Sequence, residues 1–174
     1  MNLFARTKPA LLEAAFDRYY PAIFRFFRFR GADTDTANDL AASVFERALS
    51  RLDQFDPLKA QIQTWLFTIA RNISINHWKT EKDTTPLDDE MPQGGISPEE
   101  LIIRAEDKER VLLALQSLDN RSREVIALKF SGELSNREIA QLTGLTESNV
   151  GVLIYRSLTR LRKELSTSQM EVNS

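Results

Sequence analysis

The stretch Ser135–Leu165, SNREIAQLTGLTESNVGVLIYRSLTRLRKEL, decides how the second half of this 174-residue chain folds. Ser135 and Glu138 form the Ser-x-x-Glu pattern of a capping box, which predicts the start of a short helix. Gly144 can end that helix in the left-handed conformation, and Thr146 can cap the next one. A short helix, a tight turn and a longer helix are typical of a helix-turn-helix, whose second helix enters the major groove of DNA. An ordinary helical hairpin is the alternative that this stretch leaves open.

Charge is distributed unevenly along the chain. Between Glu81 and Glu109 there are ten acidic and three basic residues, so this segment is strongly negative although the whole chain carries only -2. The remainder is therefore mildly basic and can meet phosphates. Residues 81–99 also contain three prolines and two adjacent glycines without apolar periodicity, which predicts a flexible linker.

Apolar residues at three- and four-residue spacing predict helices throughout, and strand-type alternation is absent. Besides the helix-turn-helix, the predicted helices cover residues 12–27, 34–52, 60–80, 101–118 and 122–130. In the first helix, Pro21 is expected to cause a kink or a fresh start. The sequence therefore predicts an all-α fold of two small helical domains, 10–80 and 108–166, joined by an acidic linker over 81–107.

Several function classes find no support in the residues. The chain has no cysteine and one histidine, His77, which has no partner for a catalytic or zinc site. Neither a P-loop nor a dinucleotide-binding or hydrolase motif is present. No apolar run reaches the length of a signal peptide or a membrane span. We expect a cytoplasmic protein that is not an enzyme, with no metal, cofactor, small-molecule substrate or membrane insertion.

The third predicted helix carries a polar and aromatic stripe beside its apolar face. At 3.6-residue periodicity it contains Gln61, Trp65, Thr68, Asn72 and Lys79. An aromatic ring can stack on an exposed base, and amides can bond base edges. The alternative, equally compatible with the periodicity, is that Trp65 belongs to the core and the others form a solvated surface.

The second helix of the predicted helix-turn-helix has its own candidate contacts with DNA. Its polar side and the flanking positions contain Ser148, Asn149, Gly151, Val152, Tyr155 and Arg156. Hydroxyls and amides can bond phosphates or bases, and Val152 can touch a thymine methyl group. Arg137 and Arg156 are candidate contacts with the DNA backbone. Arg121 and Arg123 begin a helix, where a cation opposes the helix dipole, so either a phosphate partner or a solvated pair is possible.

Two sequence blocks together resemble a known family. The first comprises FDRYYPAIFRFFRFRG, DTANDLAASVFERALSRLDQFDP and TWLFTIARNISINHWK, and the second is LQSLDNRSREVIALKFSGELSNREIAQLTGLTESNVGVLIYRSLTRLRKEL. In this order, with the acidic linker between them, they are similar to extracytoplasmic-function (group 4) sigma factors of bacterial RNA polymerase, in the sigma-70 superfamily. The resemblance covers residues 12–166.

The resemblance implies a transcription initiation factor that binds core RNA polymerase and promoter DNA, with an anti-sigma factor as a further partner. Sigma domain 2 would bind polymerase and open the minus-ten element, while sigma domain 4 would read the minus-thirty-five element as duplex. The implied polymerase contacts are Asp39, Leu40, Phe45, Glu46 and Arg47. The implied minus-ten site adds Lys59, Ala60 and Ile62 to the stripe, with the loop before the third helix holding a flipped base.

The sequence departs from the family pattern at two places. Ala42 and Ser43 replace the usual Gln-Glu pair beside the polymerase contacts, and the recognition helix lacks two common cations around Gly151. Duplex binding should therefore depend less on charge than is usual for the family. Two alternatives remain: a sigma-like adaptor that docks a protein such as an anti-sigma factor without reading DNA, and a conventional helix-turn-helix regulator.

Overall fold

The computed structural model describes residues 3–79 and 108–172, and within these ranges the chain is helical with short turns. The helices are α1 (Leu3–Arg30), α2 (Thr34–Ser50), α3 (Ile62–Trp78), α4 (Lys108–Gln116), α5 (Asn120–Ser131), α6 (Asn136–Thr143) and α7 (Glu147–Val172). A 3₁₀ turn, Leu52–Gln54, follows α2. The described residues form no strand, so the predicted all-α class is confirmed. The predicted linker, 81–107, lies outside the described residues.

Helix starts are fixed by side-chain caps. Asp33 caps α2 by accepting a hydrogen bond from the Thr36 amide at 2.7 Å, and this bond holds the pKa of Asp33 below its usual value. Asp119 caps α5 in the same way, accepting from the Ser122 amide at 2.9 Å. These caps are local, which is why the starts of both helices fall close to the predicted positions.

The fresh start predicted at Pro21 is wrong, because α1 continues through this residue. Proline removes one backbone hydrogen bond from a helix interior. Pro21 is itself exposed, whereas Ile23, Phe26 and Phe27 in the next turns are fully buried. Burial of these large apolar side chains stabilises the helix beyond the proline by more than the missing hydrogen bond costs.

The N-terminal domain, α1–α3, is built around aromatic side chains. The Phe26 ring lies edge-on to Phe27 at 5.2 Å and to Phe67 of α3 at 5.8 Å between centroids. Val44 of α2 and Leu66 of α3 complete the fully buried centre. Edge-to-face rings add to the free energy gained from burial alone, so this cluster fixes how α3 lies against α1.

The C-terminal domain comprises α4–α7 and packs on the N-terminal domain. Leu115, Ile126 and Leu158 form a core of their own between α4, α5 and α7. Leu128 of α5 and the residues Leu134, Ile139 and Val150 instead join the same core as the N-terminal aromatics. Among the described helices, none has an apolar stretch long enough to span a bilayer.

Candidate nucleic-acid interface

The predicted helix-turn-helix is present as α6, a turn and α7. Ser135 Oγ accepts a hydrogen bond from the Glu138 amide at 3.2 Å, while the Glu138 carboxylate accepts from the Ser135 amide at 2.8 Å. Gly144 ends α6 with φ +73°, and Thr146 Oγ1 accepts from the Asn149 amide at 3.1 Å. The capping box, the left-handed glycine and the cap of the second helix are therefore all confirmed.

Glu138 is more strongly anchored than a capping residue on an open surface. Its carboxylate also accepts hydrogen bonds from Ser135 Oγ at 2.7 Å and from Thr64 Oγ1 of α3 at 2.8 Å. The Ser135 hydroxyl makes the largest contribution to lowering the pKa of Glu138, and the Ser135 amide, Thr64 and the nearby charge of Lys129 lower it further. The anionic form is thus held by both domains.

On α7 the candidate DNA residues differ in exposure. Ser148 and Asn149, in its first turn, are exposed, as is Arg137 on α6. The remaining candidates on α7, namely Gly151, Val152, Tyr155 and Arg156, are half-buried. Around Gly151 there is open space, since a Cβ at that position would meet only Asn136 Nδ2, at 3.8 Å. The first turn of α7 and Arg137 of α6 are therefore the most exposed of the candidate positions on this surface.

Arg123 has an intramolecular role that the sequence pattern did not reveal. Its guanidinium donates hydrogen bonds to the carbonyl oxygens of Leu115, Gln116 and Leu118 at 3.0, 3.0 and 2.7 Å. The carbonyls of Leu115 and Gln116 end α4 and that of Leu118 lies just beyond it, and a cation there also complements the helix dipole. The signal in the sequence was a basic residue shortly after a helix end. Arg121 is exposed, and a contact of either residue with DNA remains a prediction.

The structure bears on one of the two alternatives for the α3 stripe, the one in which Trp65 belongs to the core and the other residues form a solvated surface. Gln61, Asn72 and Lys79 are exposed. Trp65 is half-buried and its ring lies 4.9 Å from that of Phe55, so the indole belongs partly to the core. Thr68 is half-buried and donates to a backbone carbonyl at 2.8 Å. The exposed amides, rather than the ring, are the freely accessible part of the stripe.

The loop before α3 contains a short turn that begins at Asp56. The Asp56 carboxylate accepts from the Leu58 amide at 3.0 Å and lies 3.6 Å from Lys59 Nζ. This turn leaves the Leu58 side chain 95% exposed. Lys59 and Ala60 are exposed too, while Ile62 begins α3 and is half-buried. The exposed candidates Lys59, Ala60 and Gln61 are thus consecutive in sequence and lead directly into α3.

The predicted polymerase contacts lie on α2 beside an aromatic cluster. Asp39, Glu46 and Arg47 are exposed, Leu40 is half-buried and Phe45 is buried. Phe16 of α1 lies edge-on to Phe45 at 4.8 Å between centroids but remains 43% exposed. Leu49 of α2 is 61% exposed.

Phe16 and Leu49 both belong to apolar stripes by their spacing, and the structure puts them at the surface. Periodicity identifies the apolar side of a helix, but it cannot show where along the helix that side ceases to be covered by a neighbouring helix. Together with the charged residues of α2, these two side chains form an apolar patch with a polar rim, which is the usual composition of a protein interface.

Contacts between the domains were not predicted from the sequence. Arg71 Nε of α3 lies 3.0 Å from a Glu124 carboxylate oxygen of α5. The buried Arg30 of α1 donates to the Asn120 carbonyl at 2.8 Å, and Gln63 of α3 donates to the Gly132 carbonyl. Since each pair joins residues that are far apart in sequence, no local pattern could have shown them.

Comparison with known proteins agrees with this architecture. Residues 15–84 match the family Sigma-70 region 2, and residues 108–161 match the family Sigma-70, region 4. The chain is 30% identical over 154 residues to the ECF RNA polymerase sigma factor RpoE of Cereibacter sphaeroides, covering 87% of this chain and 84% of RpoE. It is 29% identical over 154 residues to the ECF sigma factor BldN of Streptomyces coelicolor, covering 86% of this chain but 58% of BldN.

The chain belongs to the ECF sigma factors of the sigma-70 family, a class of factors for transcription initiation. A solved structure of CnrH in complex with the cytosolic domain of CnrY is similar to it, with a TM-score of 0.67 and 26% identity, covering 90% of this chain and 88% of CnrH. The N-terminal and C-terminal domains are thus sigma domains 2 and 4.

Proposed function

We propose that this chain binds core RNA polymerase and directs it to promoters that have two elements. Domain 4 reads the minus-thirty-five element as duplex through α6 and α7, and domain 2 opens the minus-ten element along α3. One observation supports this most directly: each domain exposes a polar edge of its own, made by Gln61 and Asn72 in domain 2 and by Ser148 and Asn149 in domain 4.

On α3, the amides and the half-exposed indole suit a flipped base. Unstacking a base costs a few kcal/mol, which stacking on a ring and hydrogen bonds from amides can offset. Leu58, Lys59 and Ala60 are exposed and directly precede Gln61 in sequence, so they would lie next to the base. Trp65 would meet the base with the exposed part of its ring, and its contact with Phe55 holds the indole in place.

Run-off transcription with purified core polymerase and a cognate promoter tests the proposal. Transcription should depend on this chain, and Asn72→Ala should impair promoter opening more than initial docking. His77→Ala is the control, since His77 is exposed on the same helix but lies outside the stripe. If transcription does not depend on the chain although it binds polymerase, it is a sigma-like adaptor instead.

Duplex reading by domain 4 can be tested with two arginines of equal chemistry. Arg137 on α6 and Arg162 on α7 are both exposed, but only Arg137 is next in sequence to Asn136, whose side chain lies 3.8 Å from a Cβ placed at Gly151 near the start of α7. Because Arg137→Ala removes a cation that can bind a phosphate, it should weaken binding of the polymerase complex to all promoters and reduce the salt slope by about 1. Arg162→Ala should leave both unchanged, and equal effects of the two variants would contradict this assignment.

Binding of core polymerase is assigned to the apolar patch on α1 and α2. Its exposed centre is formed by Phe16, which packs on the buried Phe45, and by Leu49. The charged residues Glu46 and Arg47 form its rim. Leu49→Ala should lower the affinity for core polymerase by about tenfold, the effect expected for removing an apolar side chain worth about 1–2 kcal/mol at an interface. Leu113→Ala on α4 is the matched control, because Leu113 is 70% exposed in the other domain.

An anti-sigma factor is the second partner that we propose. CnrH, which is similar over both domains, has been solved with the cytosolic domain of CnrY. A membrane protein with a small cytoplasmic helical domain, encoded next to this chain, is the expected inhibitor. Added to the transcription assay, that helical domain should abolish the transcription that depends on this chain, because it competes with core polymerase for the chain. Transcription that persists at a saturating concentration of the helical domain would contradict its role as an inhibitor.

A further inference from the structure

We infer that Asn136 of α6 is an uncharged phosphate-binding residue, and that Lys129 of α5 orients its side-chain amide toward the DNA. The amide would donate to a phosphate oxygen of the duplex in the open space over Gly151. The sequence pattern did not predict this contact. The choice of promoter DNA as the ligand rests on the proposed function, whereas the orientation of the amide rests only on the contacts of these residues.

Lys129 determines which end of the Asn136 amide faces which way. The Lys129 ammonium group donates to Asn136 Oδ1 at 3.0 Å and to the Leu134 carbonyl oxygen at 3.2 Å. An ammonium group is a donor only, so it must face the oxygen of the amide and not the nitrogen. The reversed amide would place two donors against each other. The Asn136 nitrogen is therefore directed away from Lys129.

This nitrogen is directed toward the start of α7. Apart from atoms of its own helix, a Cβ placed at Gly151 would meet Asn136 Nδ2, at 3.8 Å, and no other described atom within 4 Å. Within the described ranges, Nδ2 donates no hydrogen bond and is not one of the enclosed atoms that lack a partner. Its two N–H groups are therefore open to a ligand that approaches the first turns of α7.

A phosphate oxygen is the ligand that suits this amide best. Nδ2 offers donors only, so its ligand must be an acceptor. The ammonium group bound to Oδ1 polarises the amide and strengthens its N–H groups, as in other chains of hydrogen bonds. The exposed Arg137 follows Asn136 in sequence, and the exposed Ser148 belongs to the first turn of α7. These neighbours favour an anion over a cation or an apolar group.

The carboxylate of Glu138, in the first turn of the same helix, does not occupy this donor. It accepts from the Ser135 amide and hydroxyl at 2.8 and 2.7 Å and from Thr64 Oγ1 at 2.8 Å. The charge of Lys129 is close enough to lower the pKa of Glu138, so the two charges offset each other. The Asn136 donor is thus left for a ligand from outside the chain.

Gly151 provides the room that a phosphate needs. A glycine inside a helix is unfavourable relative to alanine, and close approach of the backbone to a ligand is one of the uses that offset this cost. Gly151 lies in the second turn of α7, after the exposed residues Ser148 and Asn149. A side chain at this position would fill the space in front of Asn136 Nδ2.

Binding of a cognate promoter by the complex of this chain with core polymerase measures the contribution of the amide. Asn136→Ala should weaken binding about tenfold, the effect of removing one hydrogen bond to a charged group. Because the amide is uncharged, the salt slope should stay that of the parent, unlike the fall of about 1 expected for Arg137→Ala. Gln141→Ala is the matched control, since Gln141 is an exposed amide more than one turn further along α6, and it should leave binding unchanged.

A double-mutant cycle tests the positioning role of Lys129. Lys129→Met removes the ammonium group but keeps the apolar stem, and it should weaken promoter binding about threefold to tenfold with the salt slope of the parent. In the Asn136→Ala background the same change should have no further effect, because Lys129 acts through the amide. A reduced salt slope, or losses that multiply, would show that Lys129 binds a phosphate itself and would overturn its positioning role.

Two further substitutions change the donor or its surroundings without changing the fold of α6. Asn136→Asp keeps the shape but presents acceptors to the phosphate, so it should bind more weakly than Asn136→Ala. Gly151→Lys brings a cation to the same phosphate, so it should raise the salt slope by about 1 and reduce the effect of Asn136→Ala to less than about threefold. An unchanged tenfold effect in Gly151→Lys, or a loss in Asn136→Ala that varies with the bases of the promoter, would overturn the assignment to this phosphate.

Side-chain amide signals in the NMR spectrum of the chain alone separate this contact from the proposed function. On titration with a DNA duplex of arbitrary sequence at low salt, the NH2 signals of Asn136 should shift and those of Gln141 should not. A shift without any transcription that depends on the chain would contradict the proposed function and leave the phosphate contact standing. Transcription that depends on the chain, with unshifted Asn136 signals and unchanged binding by Asn136→Ala, would leave the function standing and refute the contact.

Discussion

Ser135 and Thr64 hold the same carboxylate from two different domains, so their removal should have separable effects. Ser135→Ala deletes both the acceptor for the Glu138 amide and the hydroxyl that lies 2.7 Å from its carboxylate. Removing an N-cap serine costs about 1 kcal/mol, within a range of roughly 0.5–2. In a chain of this length, that corresponds to a fall of about 2–4 °C in Tm. Thermal and urea unfolding followed by circular dichroism measure both quantities.

Thr64→Ala is the paired variant, because it removes one hydrogen bond to Glu138 and leaves the capping box complete. The loss of about 0.5–1.5 kcal/mol should weaken the packing of the two domains against each other and leave the stability of the start of α6 unchanged. Hydrogen exchange distinguishes the two, since the Glu138 amide should exchange faster in Ser135→Ala and at its original rate in Thr64→Ala. Equal acceleration in both variants would refute the separation between the cap of α6 and the contact between the domains, as would a Ser135→Ala variant of unchanged stability.

Three other changes follow from local geometry. Gly151→Ala should stabilise the chain to urea by up to about 1 kcal/mol, because the new methyl group meets only Asn136, and a decrease in stability would contradict the open space seen there. Arg123→Ala should cost about 1–3 kcal/mol in the same assay, since the carbonyls that end α4 lose their donor; a neutral result would show that water replaces it. The pKa of Glu138 is lowered in the folded chain, so the contribution of this carboxylate to stability is complete above its ordinary pKa of 4.5 and is lost as the pH falls through the lowered pKa. Glu138→Gln should therefore flatten the acid part of the curve of stability against pH. An unaltered curve would contradict the role assigned to Glu138.

Local signals explain why the helix-turn-helix could be predicted almost completely. Ser135, Gly144 and Thr146 each act on residues within one turn, so the pattern in the sequence contains the whole interaction. The start of α2 at Thr34 is predictable for the same reason, because its cap, Asp33, is the preceding residue. Pro21 was misleading, since the burial that stabilises α1 around it comes from other helices.

Functional surfaces were harder to predict wherever a residue's partner is distant in sequence. The spacing of the α3 stripe predicted that Gln61 and Asn72 lie on one side of the helix, and both are exposed, but their contact with DNA remains a prediction. The spacing could not show that Trp65 packs against Phe55, or that Arg71, directly before Asn72, forms an ion pair with Glu124. Composition alone gave no indication of that pairing, because both residue types usually lie at the surface.

The apolar core that runs from Phe67 through Leu128 to Ile139 has a consequence for making hybrid proteins. Exchanging domain 4 with that of a relative transplants one half of a shared interior, so the new helices must fit Phe67 as well as their own neighbours. A chimera joined at the linker should therefore be prone to aggregation unless the side of α3 that meets the incoming module is exchanged with it. Matching these buried surfaces is as necessary for a working hybrid as choosing the right promoter.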